Sequence, residues 1–221
     1  MKLIKSFFSP LNIWLGVSIL FSMILLFLRK EMTGSFHFVF LIWNIFLAGI
    51  PLVFSIILKH LHRHKRLHFS IFYLLFFSWL VFFPNAPYII TDLFHLRQRS
   101  VPLWFDLMLI LSFAWNGLLL GYFSMMNIQE VVDERMNKTF GWVMVVGAFF
   151  LSGFGIYLGR YLRFNSWDII SNPQPLIADI SHRILHPFEH TSTFGVTIIY
   201  ASFFILSYVG LKMMMERSFS K

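Results

Sequence analysis

Apolar residues run along this chain in long, nearly uninterrupted blocks, with the polar residues gathered between them. Six blocks approach the about 20 residues that a helix needs to cross a ~30 Å hydrocarbon core: 11–28, 36–58, 69–90, 103–126, 140–159 and 192–214. The pattern predicts an all-α polytopic membrane helical bundle with six transmembrane helices. No fixed-period repeat is visible and no connection is long enough for a soluble unit, so residues 1–221 read as a single integral membrane domain. The first block follows Lys2 and Lys5 as a signal peptide would. Its apolar run exceeds the ~7–15 residues of a signal core, and no small-x-small cleavage site follows. It reads as a retained anchor.

The third block departs from the others. Its unbroken apolar stretch, Phe69 to Phe83, is 15 residues long, about 22 Å of helix at ~1.5 Å per residue and short of a full crossing. Pro84-Asn85-Ala86-Pro87 follows. Each proline removes a backbone donor and pushes the residue before it away from helical geometry, which predicts a break in the third helix near the membrane edge. Lipid cannot satisfy the freed backbone groups, so such a break lies against protein or lines a polar cavity, as it does at binding sites in transporters. A helix ending in an ordinary interfacial turn fits the same spacing.

Composition agrees with the pattern. Hydrophobic residues make up 57% and charged residues 13% of 221, with 29 Phe and a mean hydropathy of +0.71. That excludes disordered, collagen-like, disulfide-rich and nucleic-acid-binding chains. With no cysteine, neither a disulfide framework nor a thiolate metal site is available. The net charge of +8 belongs to loops beside lipid. Lys2, Lys5, Lys59, Arg63, Lys65, Arg66, Arg135, Lys138, Lys212, Arg217 and Lys221 fall on one side of a six-span arrangement, and Arg29, Lys30, Arg97, Arg99, Arg160, Arg163 and Arg183 on the other. Because cytoplasmic loops carry the excess of Lys and Arg, both termini are predicted inside. Whichever way the chain inserts, the first, third and fifth loops share a side. The basic, His-rich loop 59–68 is expected to contact anionic lipids, at about 1 kcal/mol per cation.

The odd-numbered loops hold most of the candidate chemistry. Asn85 can cap a short helix after the break, and Asp92 and His95 then share a face at i, i+3. Asp106 lies just inside the fourth span, where an uncompensated carboxylate costs roughly 2.5–3.5 kcal/mol, so it should face the bundle or an aqueous pocket, or pair with a nearby base such as Arg99. Arg160 and Arg163, also at i, i+3, suit phosphate or carboxylate, although arginines there also snorkel to headgroups. Asp179, His182 and His186 fall on one face of a short helix ended by Pro187. Asp92, His95, Asp168, His182 and His186 are the available nitrogen and oxygen ligands for a metal, but H-x-x-x-H without a zincin glutamate is a weak signal, and casual histidines on an amphipathic helix explain it more cheaply. Neither a dinucleotide nor a Walker motif occurs, and no cofactor is named by the sequence.

The stretch Phe83-Pro84-Asn85-Ala86-Pro87-Tyr88-Ile89-Ile90-Thr91-Asp92-Leu93-Phe94-His95-Leu96, together with Gly159-Arg160-Tyr161-Leu162-Arg163-Phe164-Asn165-Ser166-Trp167-Asp168, resembles a family of bacterial integral membrane proteins known only as a domain of unknown function, DUF1361. The resemblance covers most of the chain from the second span onward. It implies a small multi-pass protein of the bacterial cell membrane and transfers no activity.

Three functions fit these residues. The first is a membrane enzyme with an outward-facing interfacial site. Asn85, Tyr88, Arg160, Arg163, Asn165, Trp167 and Asp168 would bind a lipid-linked or phosphate-bearing headgroup, Asp92 or Asp106 would serve as general base, and His95 as its partner or acid. The second is a transporter with the broken third span lining the pathway and Asp106 coupling to a cation; lacking an internal repeat, it would need to form a homo-oligomer. The third is a non-catalytic subunit docking a membrane partner protein. Enzyme or not is left open by the sequence.

Overall fold

The computed structural model describes residues 10–96, 101–164 and 168–219. Among the described residues the chain is helical with no strand. Six helical segments are long and apolar enough to cross a membrane, so the chain is a multi-pass membrane protein. The elements are α1 (Pro10–Thr33), α2 (Phe40–Arg63), α3 (Phe69–Phe82), a single turn α4 (Asn85–Tyr88), a 3-10 helix (Ile89–His95), α5 (Leu103–Arg135), α6 (Lys138–Arg160), a turn α7 (Asp168–Ser171), α8 (Pro173–Leu185) and α9 (Thr191–Phe219).

Helix α5 is the axle of the bundle, and α1, α2, α6 and the 3-10 helix all pack on it. One side of it joins the core built from Trp79, Phe83, Tyr122, Phe149, Phe204 and Tyr208. Its other side joins Leu41, Ile45, Ala48, Ile89, Leu109 and Phe113. At 33 residues α5 spans about 50 Å, well beyond the hydrocarbon core. The apolar block predicted only residues 103–126. The remaining turns carry charge but bury Ile128, Val131 and Val132 in the core, while on their polar side Glu130 meets Lys59 at 2.6 Å and Arg63 at 2.7 Å, and Glu134 meets His62 at 2.8 Å. These pairs occupy three of the basic side chains of loop 59–68 that sequence alone leaves for lipid.

The third span breaks where predicted, as a change of helix type. Phe83, ahead of Pro84, keeps helical angles (φ −55°, ψ −41°), contrary to the expectation that proline would push it out. Its ring is fully buried against Trp79 and Phe149, and that packing offsets the local steric cost. Pro87 cannot donate to the Phe83 carbonyl, so Ala86 N takes that carbonyl at 3.1 Å. The Phe82 carbonyl then lacks its usual partner. Asn85 Nδ2 donates to it at 2.9 Å, closing the end of α3 rather than capping the next turn.

Glycines let the broken segment sit this deep. A Cβ on Gly117 would lie 2.7 Å from Ile89 Cδ1, and one on Gly121 3.0 Å from Ala86 Cβ. Gly117 and Gly121 thus form a small-xxx-small face on α5 into which the break packs. On α6, a Cβ at Gly153 would meet the Thr197 backbone oxygen at 2.5 Å, so α9 approaches there backbone to backbone.

Polar contacts sort the loops into two ends. Asp92 pairs with Arg160 and Asp106 with Arg29 at one end, whereas Lys59, His62 and Arg63 meet Glu130 and Glu134 at the other. Residues from loops one, three and five therefore share an end.

Candidate functional site

The 3-10 helix carries Thr91 and Asp92 inward. Both are buried, Asp92 at 1% exposure. A buried carboxylate needs counter-charge and hydrogen bonds on both oxygens. Arg160 Nη2, at the last turn of α6, donates to Asp92 Oδ1 at 2.7 Å. Asn44 Nδ2, inside α2, donates to Asp92 Oδ2 at 2.7 Å. Arg160 is fixed further, donating to Thr91 Oγ1 from Nε at 3.0 Å and from Nη2 at 2.6 Å. Its guanidinium carbon stands 4.8 Å from the Tyr88 ring centre and 5.9 Å from that of Phe94, within cation–π range. Tyr88 reaches this position because residue 159 is glycine: a Cβ there would lie 2.8 Å from Tyr88 Cε2.

The edge of Arg160 turned away from Asp92 is not used. Nη1 makes no hydrogen bond among the described residues, and Arg160 lines a cavity of about 980 Å³ with Tyr88, Leu93, Phe94, His95, Leu96, Leu103, Gly159 and Arg163. Arg163 is exposed and has no hydrogen bond or ion pair among the described residues. Its backbone is left-handed (φ 64°), which lets the chain turn so that Phe164 N reaches Leu158 O at 3.1 Å. A non-glycine residue in that region costs about 1–3 kcal/mol. His95 Nδ1 lies 3.2 Å from the Asp92 carbonyl oxygen and its ring is 5.1 Å from Phe40. The cavity is thus cationic on one wall and apolar on the other. Two guanidinium groups offer it unused donors, an arrangement suited to a planar or tetrahedral oxyanion.

A model of the family described as "Protein of unknown function (DUF1361)" matches residues 43–207. The chain belongs to the DUF1361 family. No curated protein and no solved structure matches it. In this DUF1361 protein the matched stretch contains both the broken third span and the end of α6, the two segments that build the cavity.

The structure brings together Asp92, His95, Tyr88, Arg160 and Arg163. Asn85 stands at the break but donates to Phe82 O. Asp168 opens α7 and accepts from Ser171 Oγ at 3.3 Å. Asn165 and Trp167 lie outside the described residues. Asp106 belongs to a separate arrangement: Arg29 Nε donates to its Oδ1 at 2.7 Å and Nη2 to its Oδ2 at 3.4 Å. Both residues are buried, at 0% and 1% exposure, and Arg29 also stands 4.2 Å over the Phe38 ring. The arginine expected beside Asp106, Arg99, lies outside the described residues.

Four residues of these sites are not legible in the sequence as site residues. Asn44 and Thr91 complete the Asp92–Arg160 lock, and an amide inside the apolar block 36–58 is the one signal that points to Asn44. Glu189 and His190 meet His182, their ligand atoms lying within 4.8 Å of one another. His186, expected on the same helical face, follows the last residue of α8, and its ring packs 4.8 Å from that of His182.

Proposed function

We propose that this DUF1361 protein binds a phosphate-bearing headgroup, carried on a membrane lipid, in the cavity between the broken third span and the end of α6. Arg160 and Arg163 hold the phosphate oxygens. The observation that carries this reading is the unused hydrogen-bonding edge of Arg160 beside an unpaired Arg163 in one cavity. The fixed orientation of Arg160 matters as much as its charge. Asp92, Asn44 and Thr91 hold the guanidinium before any ligand arrives, so little side-chain entropy is lost on binding. In this reading Asp92 positions Arg160 and its carboxylate stays committed.

His95 is the side chain on the cavity wall suited to exchanging a proton with a bound phosphate or its leaving group. We assign it the acid/base role if the headgroup is chemically altered. The apolar wall (Leu93, Leu96, Leu103) supports a lipid-borne ligand. Leu103 and the neighbouring Trp104 are exposed at a position where exposed surface faces lipid. A transporter reading draws on Asp106, whose carboxylate is enclosed with Arg29; the headgroup reading draws on residues that face the cavity.

The test is binding of dioleoyl phosphatidic acid to the purified protein in phosphate-free maltoside micelles, followed by native mass spectrometry. Saturable binding that falls at least tenfold in Arg163→Gln, with inorganic phosphate competing poorly, supports a lipid-borne phosphate. Strong competition by inorganic phosphate assigns the cavity to a soluble anion. Binding unchanged in Arg163→Gln removes the proposal.

A further inference from the structure

A second polar cluster lies on the fifth loop, built from α8 and the turn leading into α9. His182 Nδ1 and His190 Nε2 face each other at 2.8 Å, and Glu189 brings its carboxylate alongside, all three ligand atoms lying within 4.8 Å. The geometry points to a site for a zinc-class divalent cation held by His182 Nδ1, His190 Nε2 and a Glu189 carboxylate oxygen. Two imidazoles and one carboxylate with an open fourth position form a donor set that suits borderline cations of this kind.

Two ring nitrogens face each other this closely when they share a hydrogen or a cation. At 2.8 Å the two nitrogens are at hydrogen-bond distance, and the direction of such a bond follows from Arg183. Its Nη1 lies 3.1 Å from His190 Nδ1, and arginine only donates, so His190 Nδ1 is an acceptor and its hydrogen sits on Nε2. Nε2–H then donates to His182 Nδ1. Loading a cation requires that hydrogen to leave Nε2. It moves to Nδ1, with no net proton released, and Arg183 gives up His190. Arg183 has acceptors ready for this, since Nη1 also lies 3.2 Å from Thr193 Oγ1 and 3.4 Å from Tyr157 Oη, and Asp179 stands 3.8 Å from Nη2. The ring nitrogens must part to about 3.3 Å, the spacing set by ~2.05 Å bonds at a tetrahedral angle. That half-ångström opening is small for His182 and Glu189, which are exposed. Arg183 thus holds the two rings together and must swing aside for a metal, making the site selective for cations that bind imidazole strongly over Mg²⁺ or Ca²⁺.

The competing cluster is at the opposite end of the bundle, where the His60 and His64 rings lie 4.2 Å apart, and it serves as the internal control. Tag-free protein in maltoside, stripped with a chelator, is titrated with Zn²⁺ against a chromophoric competitor, and separately with Co²⁺ to record its visible absorption. We expect one equivalent bound, at least tenfold weaker in His182→Ala and in His190→Ala, weaker in Glu189→Gln, and unchanged in the double variant His60→Ala/His64→Ala. The Co²⁺ spectrum should show a four-coordinate band that both histidine variants lose. Zn²⁺ binding that is absent at micromolar concentrations, or that survives both histidine variants, overturns the site. Phosphatidic acid binding at Arg163 is read separately, so failure here leaves the cavity assignment standing.

Discussion

The two buried ion pairs should respond differently to loss of their acids. Removing one partner of a buried pair leaves the other uncompensated, at roughly 3–5 kcal/mol. For Asp106→Ala the loss should fall within that range, because Arg29 is 1% exposed, loses the counter-charge at 2.7 Å and has no water to retreat into. For Asp92→Ala the survivor is Arg160, whose side chain is 16% exposed and borders the cavity, so water can solvate it. About half the penalty is expected there. With about 2–4 °C of melting shift per kcal/mol for a chain of this size, Asp106→Ala should lower the melting temperature by on the order of 10 °C and Asp92→Ala by roughly half as much. The assay is thermal unfolding in one detergent, followed by intrinsic fluorescence and by loss of monodisperse protein. Replacing both partners with apolar residues, Arg29→Met with Asp106→Leu, should recover most of the loss, since isosteric apolar pairs often match buried ion pairs. Equal losses for the two single variants, or an Asp106→Ala protein as stable as the parent, would refute the assignment of Asp106–Arg29 as the sealed structural pair.

Other substitutions probe the packing and the cavity. Gly159→Ala should displace the Tyr88 ring, since the new methyl would stand 2.8 Å from Cε2; a cost of about 1–3 kcal/mol and weaker phosphatidic acid binding are expected, read by melting and native mass spectrometry. Gly153→Ala should be worse, because the obstacle 2.5 Å away is the Thr197 backbone oxygen, and a stable variant would show that α6 and α9 do not meet there. Arg163→Gly should separate stability from binding: relief of the left-handed backbone leaves melting unchanged or slightly higher, while headgroup binding falls. Asn44→Leu removes a donor to Asp92 and should destabilise by about 1–3 kcal/mol, with Arg160-dependent binding reduced as its orientation loosens.

Features governed by local rules were readable in the sequence, and features that depend on distant pairing were not. The prolines at 84 and 87 announced the break because their missing N–H groups act wherever the residue stands. The six spans followed from block length alone, although block boundaries understated α5, whose last turns space Ile128, Val131 and Val132 into the core among residues that pair outward, such as Glu130 with Lys59 and Arg63. Arg160 and Asp92 each stood out as charges at a membrane edge, but their contact joins loops three and five, and no spacing rule reports it. Arg29 was legible only as a loop cation. Its partner lies 77 positions away, and nothing along the sequence distinguishes it from Arg99. Asn44 was hidden for a similar reason, as one amide in an apolar block has many uses until Asp92 is placed beside it. His190 is not legible as a partner of His182 because it lies beyond Pro187, outside the helix whose periodicity marks His182.

The lack of native cysteine permits the most direct measurement on the cavity. The His95→Cys variant, labelled by a maleimide in phosphate-free maltoside, should react readily in the lipid-free protein. Saturating phosphatidic acid should slow that reaction several-fold, and the same lipid should give no protection when Arg163→Gln is added. Labelling that is indifferent to phosphatidic acid in the Arg163-containing protein, or protected equally in both, would contradict a cavity in which Arg160 and Arg163 hold a phosphate-bearing headgroup beside position 95.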